Sequence, residues 1–188
     1  MQPIRAAIFD LDGTLVDSLP ATVDAFNVVV SPFLGTRLTA KEVRIVGVNY
    51  RKVLGNFLPP EKVDAGLERL LAEFVAKVAD VRPFAGVPDL LADLRRRGCK
   101  LVVATLRAED ITARILESTG LVSSFDRVLC GAEAIGTGQG FAVDSAALAR
   151  VAAELGVPPE HAAFVCDSTV ALDAGRKAGM RTAAVAWG

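Results

Sequence analysis

Cysteine is scarce in this chain. Cys99, Cys130 and Cys166 are the only three in 188 residues, and they are odd in number and far apart. That excludes a disulfide framework and a cysteine-ligated zinc site, and it fits a reducing, cytoplasmic setting. Charge of one sign is also lacking: 21 Lys and Arg face 22 Asp and Glu, for a net charge of −1. The one cationic run, Arg95-Arg96-Arg97, falls at an expected helix end, where cations offset the helix dipole. Nothing favours nucleic acid or a membrane surface as partner. No stretch approaches the roughly 18 uninterrupted apolar residues of a membrane span. The first apolar run is short and ends in Asp10, so the amino terminus does not read as a signal peptide. Internal repeats and low-complexity segments are missing too. What the chain does have is a 52% hydrophobic composition beside 23% charge. That is the balance of a well-buried globular protein, long enough for one compact domain or a core with a small inserted domain.

Strand and helix signals alternate over the carboxyl-terminal two thirds. Strands are predicted at Ala6 to Phe9, Lys100 to Thr105, Phe125 to Leu129, Ala162 to Cys166 and Thr182 to Ala186. Helices are predicted at Val87 to Arg97, Asp110 to Ser118, Asp144 to Leu155 with Asp144 as N-cap, and Ser168 to Ala178. This alternation implies an α/β protein with a Rossmann-like parallel sheet and helices on both faces. Residues 17–82 break the pattern. Val63, Leu67, Leu70, Leu71, Phe74, Val78 and Val81 recur at helical spacing, which predicts one long amphipathic helix over Glu61 to Val81. Two more helices are expected at Leu19 to Val30 and at Lys41 to Val46. The expected organisation is a core of residues 1–16 and 83–188 with an all-helical cap of residues 17–82, attached so that it can act as a lid.

The richest motif is Asp10-Leu11-Asp12-Gly13-Thr14, directly after the first strand. Carboxylates at i and i+2 on an extended chain face the same way. One can attack as a nucleophile and the other can move a proton, a combination suited to phosphoryl transfer. Ligands of open parallel sheets bind beyond the carboxyl ends of the strands. Two further runs end there in polar residues, Thr105 and Asp167. Thr105 offers a hydroxyl and the amides after it to a phosphate oxygen. Asp10 and Asp167, with the main-chain carbonyl of Asp12, form a hard-oxygen set suited to Mg²⁺. Asp167 has a plainer alternative as the N-cap of its helix.

The segments Phe9 to Ser18, Arg82 to Pro88, Val102 to Thr105 and Val165 to Met180 together resemble the haloacid dehalogenase superfamily. The similarity is to the small-cap branch, near phosphoglycolate phosphatase-like enzymes, and it covers essentially the whole chain. It implies a magnesium-dependent phosphatase acting on a small phosphorylated metabolite, as a monomer or homodimer. Asp10 would be the nucleophile and Asp12 the acid and base. The phosphoryl group would meet Thr105, Leu106, Arg107 and Gly13, and the metal would meet Asp10, Asp12 and Asp167. Relatives usually continue for another strand and helix beyond Trp187-Gly188.

The resemblance also implies a lysine between Thr105 and Asp167. The lysines here are Lys41, Lys52, Lys62, Lys77, Lys100 and Lys177, so that segment has none. Where it is expected, before Asp144, the chain reads Gly136 to Val143, with the amide of Gln139 but no cation. Arg107 is the residue best placed to substitute, or else it serves substrate contact. Ala171 stands where an acid or glycine is common, and Asp173 would fall on another helix face. Cys166 reads as a small buried hydrophobe. A catalytically degenerate protein with a binding or regulatory role is therefore the alternative. Another reaction of the superfamily, such as a phosphomutase, is a third. A dehalogenase fits less well, because Asp12 would have no leaving oxygen to protonate.

Overall fold

The structure, a computed structural model, describes residues 3–45, 50–136 and 142–188. In chain order it forms strands β1 (Ala6–Phe9) and β2 (Val16–Asp17), then helices α1 (Leu19–Leu34), α2 (Ala40–Ile45), α3 (Tyr50–Leu54) and α4 (Val63–Ala76). There follow strand β3 (Arg82–Pro83), helix α5 (Val87–Arg96), strand β4 (Lys100–Thr105) and helix α6 (Glu109–Ser118). The chain ends with strand β5 (Arg127–Cys130), helices α7 (Gly131–Ile135) and α8 (Ser145–Glu154), strand β6 (Ala162–Cys166), helix α9 (Thr169–Lys177) and strand β7 (Arg181–Ala184). The contacts divide it into two units: residues up to Asp17 with Arg82–Gly188, and Ser18–Val81.

The first unit is built on a five-stranded sheet in the order β5-β4-β1-β6-β7, with all neighbours parallel. Every residue of β1 is buried, as expected of a strand covered on both faces. Ala6 and Ile8 join Val102, Ala104, Leu129, Phe164 and Cys166 in one apolar cluster, which Leu148, Val151 and Ala152 of α8 and Leu172 of α9 complete. Ala7, Phe9, Leu101 and Val103 are buried as well, and the pleat turns them to the opposite face. The register sets the active edge: Phe9 pairs with Val103 on one side and with Val165 on the other. Asp10, Thr105 and Asp167 therefore leave three adjacent strands within one residue step of each other. β2 pairs antiparallel with β3, Val16 opposite Pro83 and Asp17 opposite Arg82.

In the second unit α1 packs on α2 and α4, and α3 packs on α4. Its core includes Phe26, Val30, Leu54, Leu70 and Phe74. Asn27 holds the loop after α1: its side-chain NH₂ donates to the Leu38 carbonyl (2.9 Å), and its Oδ1 accepts from the Leu38 N–H (2.7 Å). The long helix predicted over Glu61 to Val81 is shorter than expected. α4 ends at Ala76 and is flanked by 3₁₀ turns at Pro60–Lys62 and Val78–Asp80. Val78 and Val81 are buried despite the break, so apolar spacing alone could not reveal it. The helix predicted at Lys41 to Val46 is α2, with Val46 outside the described residues.

Helix α9 comes close to the sheet at Gly175. A Cβ there would stand 2.9 Å from Thr182 Cγ2 and 3.0 Å from Phe164 Cδ1. Gly175→Ala is expected to lower stability by about 1–3 kcal/mol, the usual cost of overpacking a core. Urea unfolding checks this, with the midpoint moving down at constant slope.

Candidate active site

The site residues described below all lie in the first unit. The Asp10 N–H donates to the Val165 carbonyl (2.9 Å), which extends the ladder one residue past β1. The chain then turns over Leu11, whose carbonyl accepts from the N–H groups of Leu15 (2.9 Å) and Val16 (3.0 Å). Leu11 and Leu15 are completely buried. Their burial pulls the turn onto the core and leaves Asp10 and Asp12 at its edge. Gly13 has φ +72°, and a Cβ at that position would run into the Asp167 carboxylate. Glycine is thus required twice at this point, by backbone handedness and by the approach of Asp167.

Asp10 Oδ1 accepts the Leu11 N–H at 2.7 Å. Even so, the Asp10 carboxyl is held well above the usual carboxylate range. Burial is the largest cause and the neighbouring Asp12 charge the second. The Leu11 N–H opposes them, Asp167 raises it further, and Arg107 lowers it. Three acidic groups therefore act on one place, with Arg107 the cation felt there. The Arg107 Nε–H donates to Asp12 Oδ2 at 2.6 Å, and the Arg107 side chain is only 9% exposed. The Arg107 backbone is fixed as well: its N–H donates to Thr105 Oγ1 (3.3 Å), and its carbonyl accepts from the Gly131 N–H (2.7 Å).

The structure thus places Asp10, Asp12, Gly13, Thr105, Arg107 and Asp167 at one edge of the sheet. Leu106 is partly buried and packs its side chain on the apolar cluster, so only its main chain can serve a ligand. Asp167 is not the N-cap of α9. Ser168 is, accepting the Ala171 N–H. Asp144 caps α8 as predicted, accepting the Ala146 N–H. Ala171 is buried in the core cluster, and Asp173 lies exposed, paired with Arg176. Cys166 is fully buried, and burial pushes its thiol up to about 12. Thr137, Gly138, Gln139, Gly140 and Phe141, where the missing lysine was expected, lie outside the described residues.

One contact had no local signal in the sequence. Trp187, 173 residues along the chain, donates its indole N–H to the Thr14 carbonyl (3.2 Å) and stacks obliquely on Phe84, with ring centroids 6.0 Å apart. Among the described residues, no group of three or more His, Cys, Asp or Glu side chains forms a ready metal cluster, and no helix is long and apolar enough to cross a membrane.

A family model described as haloacid dehalogenase-like hydrolase matches residues 7–185. The chain belongs to that family. A phosphoglycolate phosphatase of Caulobacter vibrioides is 31% identical to it, over 96% of this chain and 78% of that protein. The tyrosine-protein kinase PtkA of Mycobacterium tuberculosis is 33% identical over 98% of this chain, which spans 62% of the kinase. A haloacid dehalogenase-like hydrolase structure from Streptococcus pneumoniae superposes on the whole chain with a TM-score of 0.83 at 22% identity. It matches the fold of five parallel strands and flanking helices.

Asp10 gives a test that needs no substrate. A buried acid with a raised pKa favours its neutral form. Below the ordinary Asp value of 3.8 it is protonated folded or unfolded, and no penalty arises. Above that value the unfolded chain releases the proton more readily, so Asp10 costs stability as pH rises, until the folded form ionises too. Asp10→Asn is therefore expected to raise the melting temperature in EDTA at pH 7, with the gain fading towards pH 4. Thermal unfolding across that range checks it.

Proposed function

We propose that this chain is a magnesium-dependent phosphatase acting on a small phosphorylated metabolite through an aspartyl-phosphate on Asp10. The observation that supports this most is the half-buried Asp10 carboxyl at the end of the central strand, with Asp12, Asp167 and Arg107 acting on it. In the first step a carboxylate oxygen of Asp10 attacks phosphorus in line. The new O–P bond forms as the ester O–P bond breaks, and Asp12, which enters this step protonated with Oδ2 still accepting from Arg107, gives its proton to the leaving oxygen. In the second step water attacks the same phosphorus, Asp12 takes the proton, and the Asp10 O–P bond breaks to release phosphate. The Thr105 hydroxyl and the main-chain N–H groups of Leu106 and Gly13 would hold the phosphoryl oxygens, with the Arg107 guanidinium beside them.

The donor set suits a hard divalent cation. Asp10 and Asp167 would hold Mg²⁺ by their carboxylates. Asp12, whose carboxylate bonds Arg107, would do so by its main-chain carbonyl. When bound, the metal neutralises this acidic group and the incoming phosphate. Relatives named phosphoglycolate phosphatase make a small acidic phosphomonoester the first substrate to try.

The absent lysine and the buried Ala171 favour one second reading, a catalytically inert relative kept for binding. Hydrolysis of p-nitrophenyl phosphate and of 2-phosphoglycolate with Mg²⁺ decides between the two. Turnover in the wild type that Asp10→Asn abolishes is the expected result. Equal rates in the two proteins, or no turnover in either, overturn the phosphatase reading.

A further inference from the structure

A phosphoryl group arriving at Asp10 brings about two negative charges to a place already lined by three acidic residues. No lysine is available from residues 101–176 to meet them. The cations between Leu106 and Cys166 are Arg107, Arg114, Arg127, Arg150 and His161. Arg114 is exposed on α6. Arg127 is committed to Glu133 and lies 3.5 Å from Glu154. Arg150 lies on α8 and faces Glu154 at 3.9 Å. His161 sits at the amino end of β6, its Nδ1 3.1 Å from the Pro3 carbonyl, at the opposite edge of the sheet from Asp167. Of these, it is Arg107 whose charge acts on Asp10, from a side chain that already reaches Asp12 at 2.6 Å.

We propose that Arg107 is a two-sided counter-charge. It clamps Asp12 through Nε, and its positive charge neutralises Asp10 and the transferring phosphoryl group. It does this from the turn between β4 and α6, in place of a lysine before α8. The proposal rests on the phosphatase reading above and adds the residue that makes that reading work without the lysine. Two features fit the task. A guanidinium stays charged when desolvated, where an ammonium more readily gives up its proton. The residue is also held in place before any ligand arrives, through its N–H on Thr105 and its carbonyl on Gly131. A charge fixed in advance opposite developing negative charge is the arrangement that lowers a barrier most.

The test uses the whole chain with Mg²⁺ and p-nitrophenyl phosphate, comparing wild type with Arg107→Ala, Arg107→Met and Arg107→Lys. Arg107→Ala and Arg107→Met are expected to lower kcat by about 10²–10³, with KM changed less. Arg107→Lys should fall between them and wild type. Added methylguanidine should restore at least about tenfold of the loss in Arg107→Ala, a rescue that a merely structural role would not show. If Arg107→Ala does not fold, Arg107→Met against Arg107→Lys carries the comparison, and equal kcat in those two overturns the proposal. Variants within about threefold of wild type, while Asp10→Asn is inactive, overturn it and leave the phosphatase reading standing. A wild type without Asp10-dependent turnover removes both.

Discussion

The constraint on which the rest depends is the crowding of acid at the carboxyl end of β1. Asp10 is pushed towards its neutral form by burial and by two neighbouring carboxylates. Among the described residues, the Leu11 backbone N–H and the field of Arg107 relieve it. The Arg107–Asp12 pair therefore differs in kind from the other ion pairs here. Arg37–Asp24, Arg96–Asp93 and Arg176–Asp173 stand largely in water, where such pairs contribute between nothing and about 1 kcal/mol. Arg107 is nine-tenths buried, and its removal would take this ion pair from Asp12, which stands beside Asp10. Breaking one side of a desolvated pair is the costly direction.

That crowding is imposed by packing. Small residues run through the strands: Ala6, Ala7, Ala104 and Ala162 are all buried. The apolar clusters on the sheet fix the register of β1 against β4 and β6. Slipping either partner by one residue would turn its buried set to the wrong face. The register that the core requires is the same one that brings the ends of three strands level. Asp10, Thr105 and Asp167 meet because Ile8, Val102 and Phe164 pack. In the turn that follows, buried Leu11 and Leu15 anchor the segment from which the two aspartates project.

Features carried by near neighbours were legible in the sequence. The five strands, the motif at Asp10 and the Asp144 cap all depend on residues a few positions apart. What escaped depends on distance along the chain or on geometry that spacing does not encode. Arg107 meets Asp12 across 95 positions, so the sequence could suggest a cation there but not its partner. Trp187 meets Thr14 across 173. Asp167 and Ser168 are both good helix caps, and side-chain direction alone chose Ser168, turning Asp167 towards Gly13. α4 looked longer than it is because a 3₁₀ turn keeps Val78 buried almost as an α-helix would. The five-residue helix α7 carries too few residues to show a period.

The energetic costs of the molecule also gather in this one turn. Asp10 is half-buried, ionisable and pushed towards its neutral form. Thr14 is 2% exposed, and its hydroxyl is buried with no hydrogen-bond partner among the described residues, a state worth about 1–3 kcal/mol against folding. Both lie within five consecutive residues, while the strands and helices around them are regular and well packed. A sequence selected for stability alone would relieve both with ordinary substitutions at Asp10 and Thr14. Their concentration at the carboxyl end of the central strand is what a site set for ligand and chemistry looks like, with its local cost offset by the apolar core beneath it.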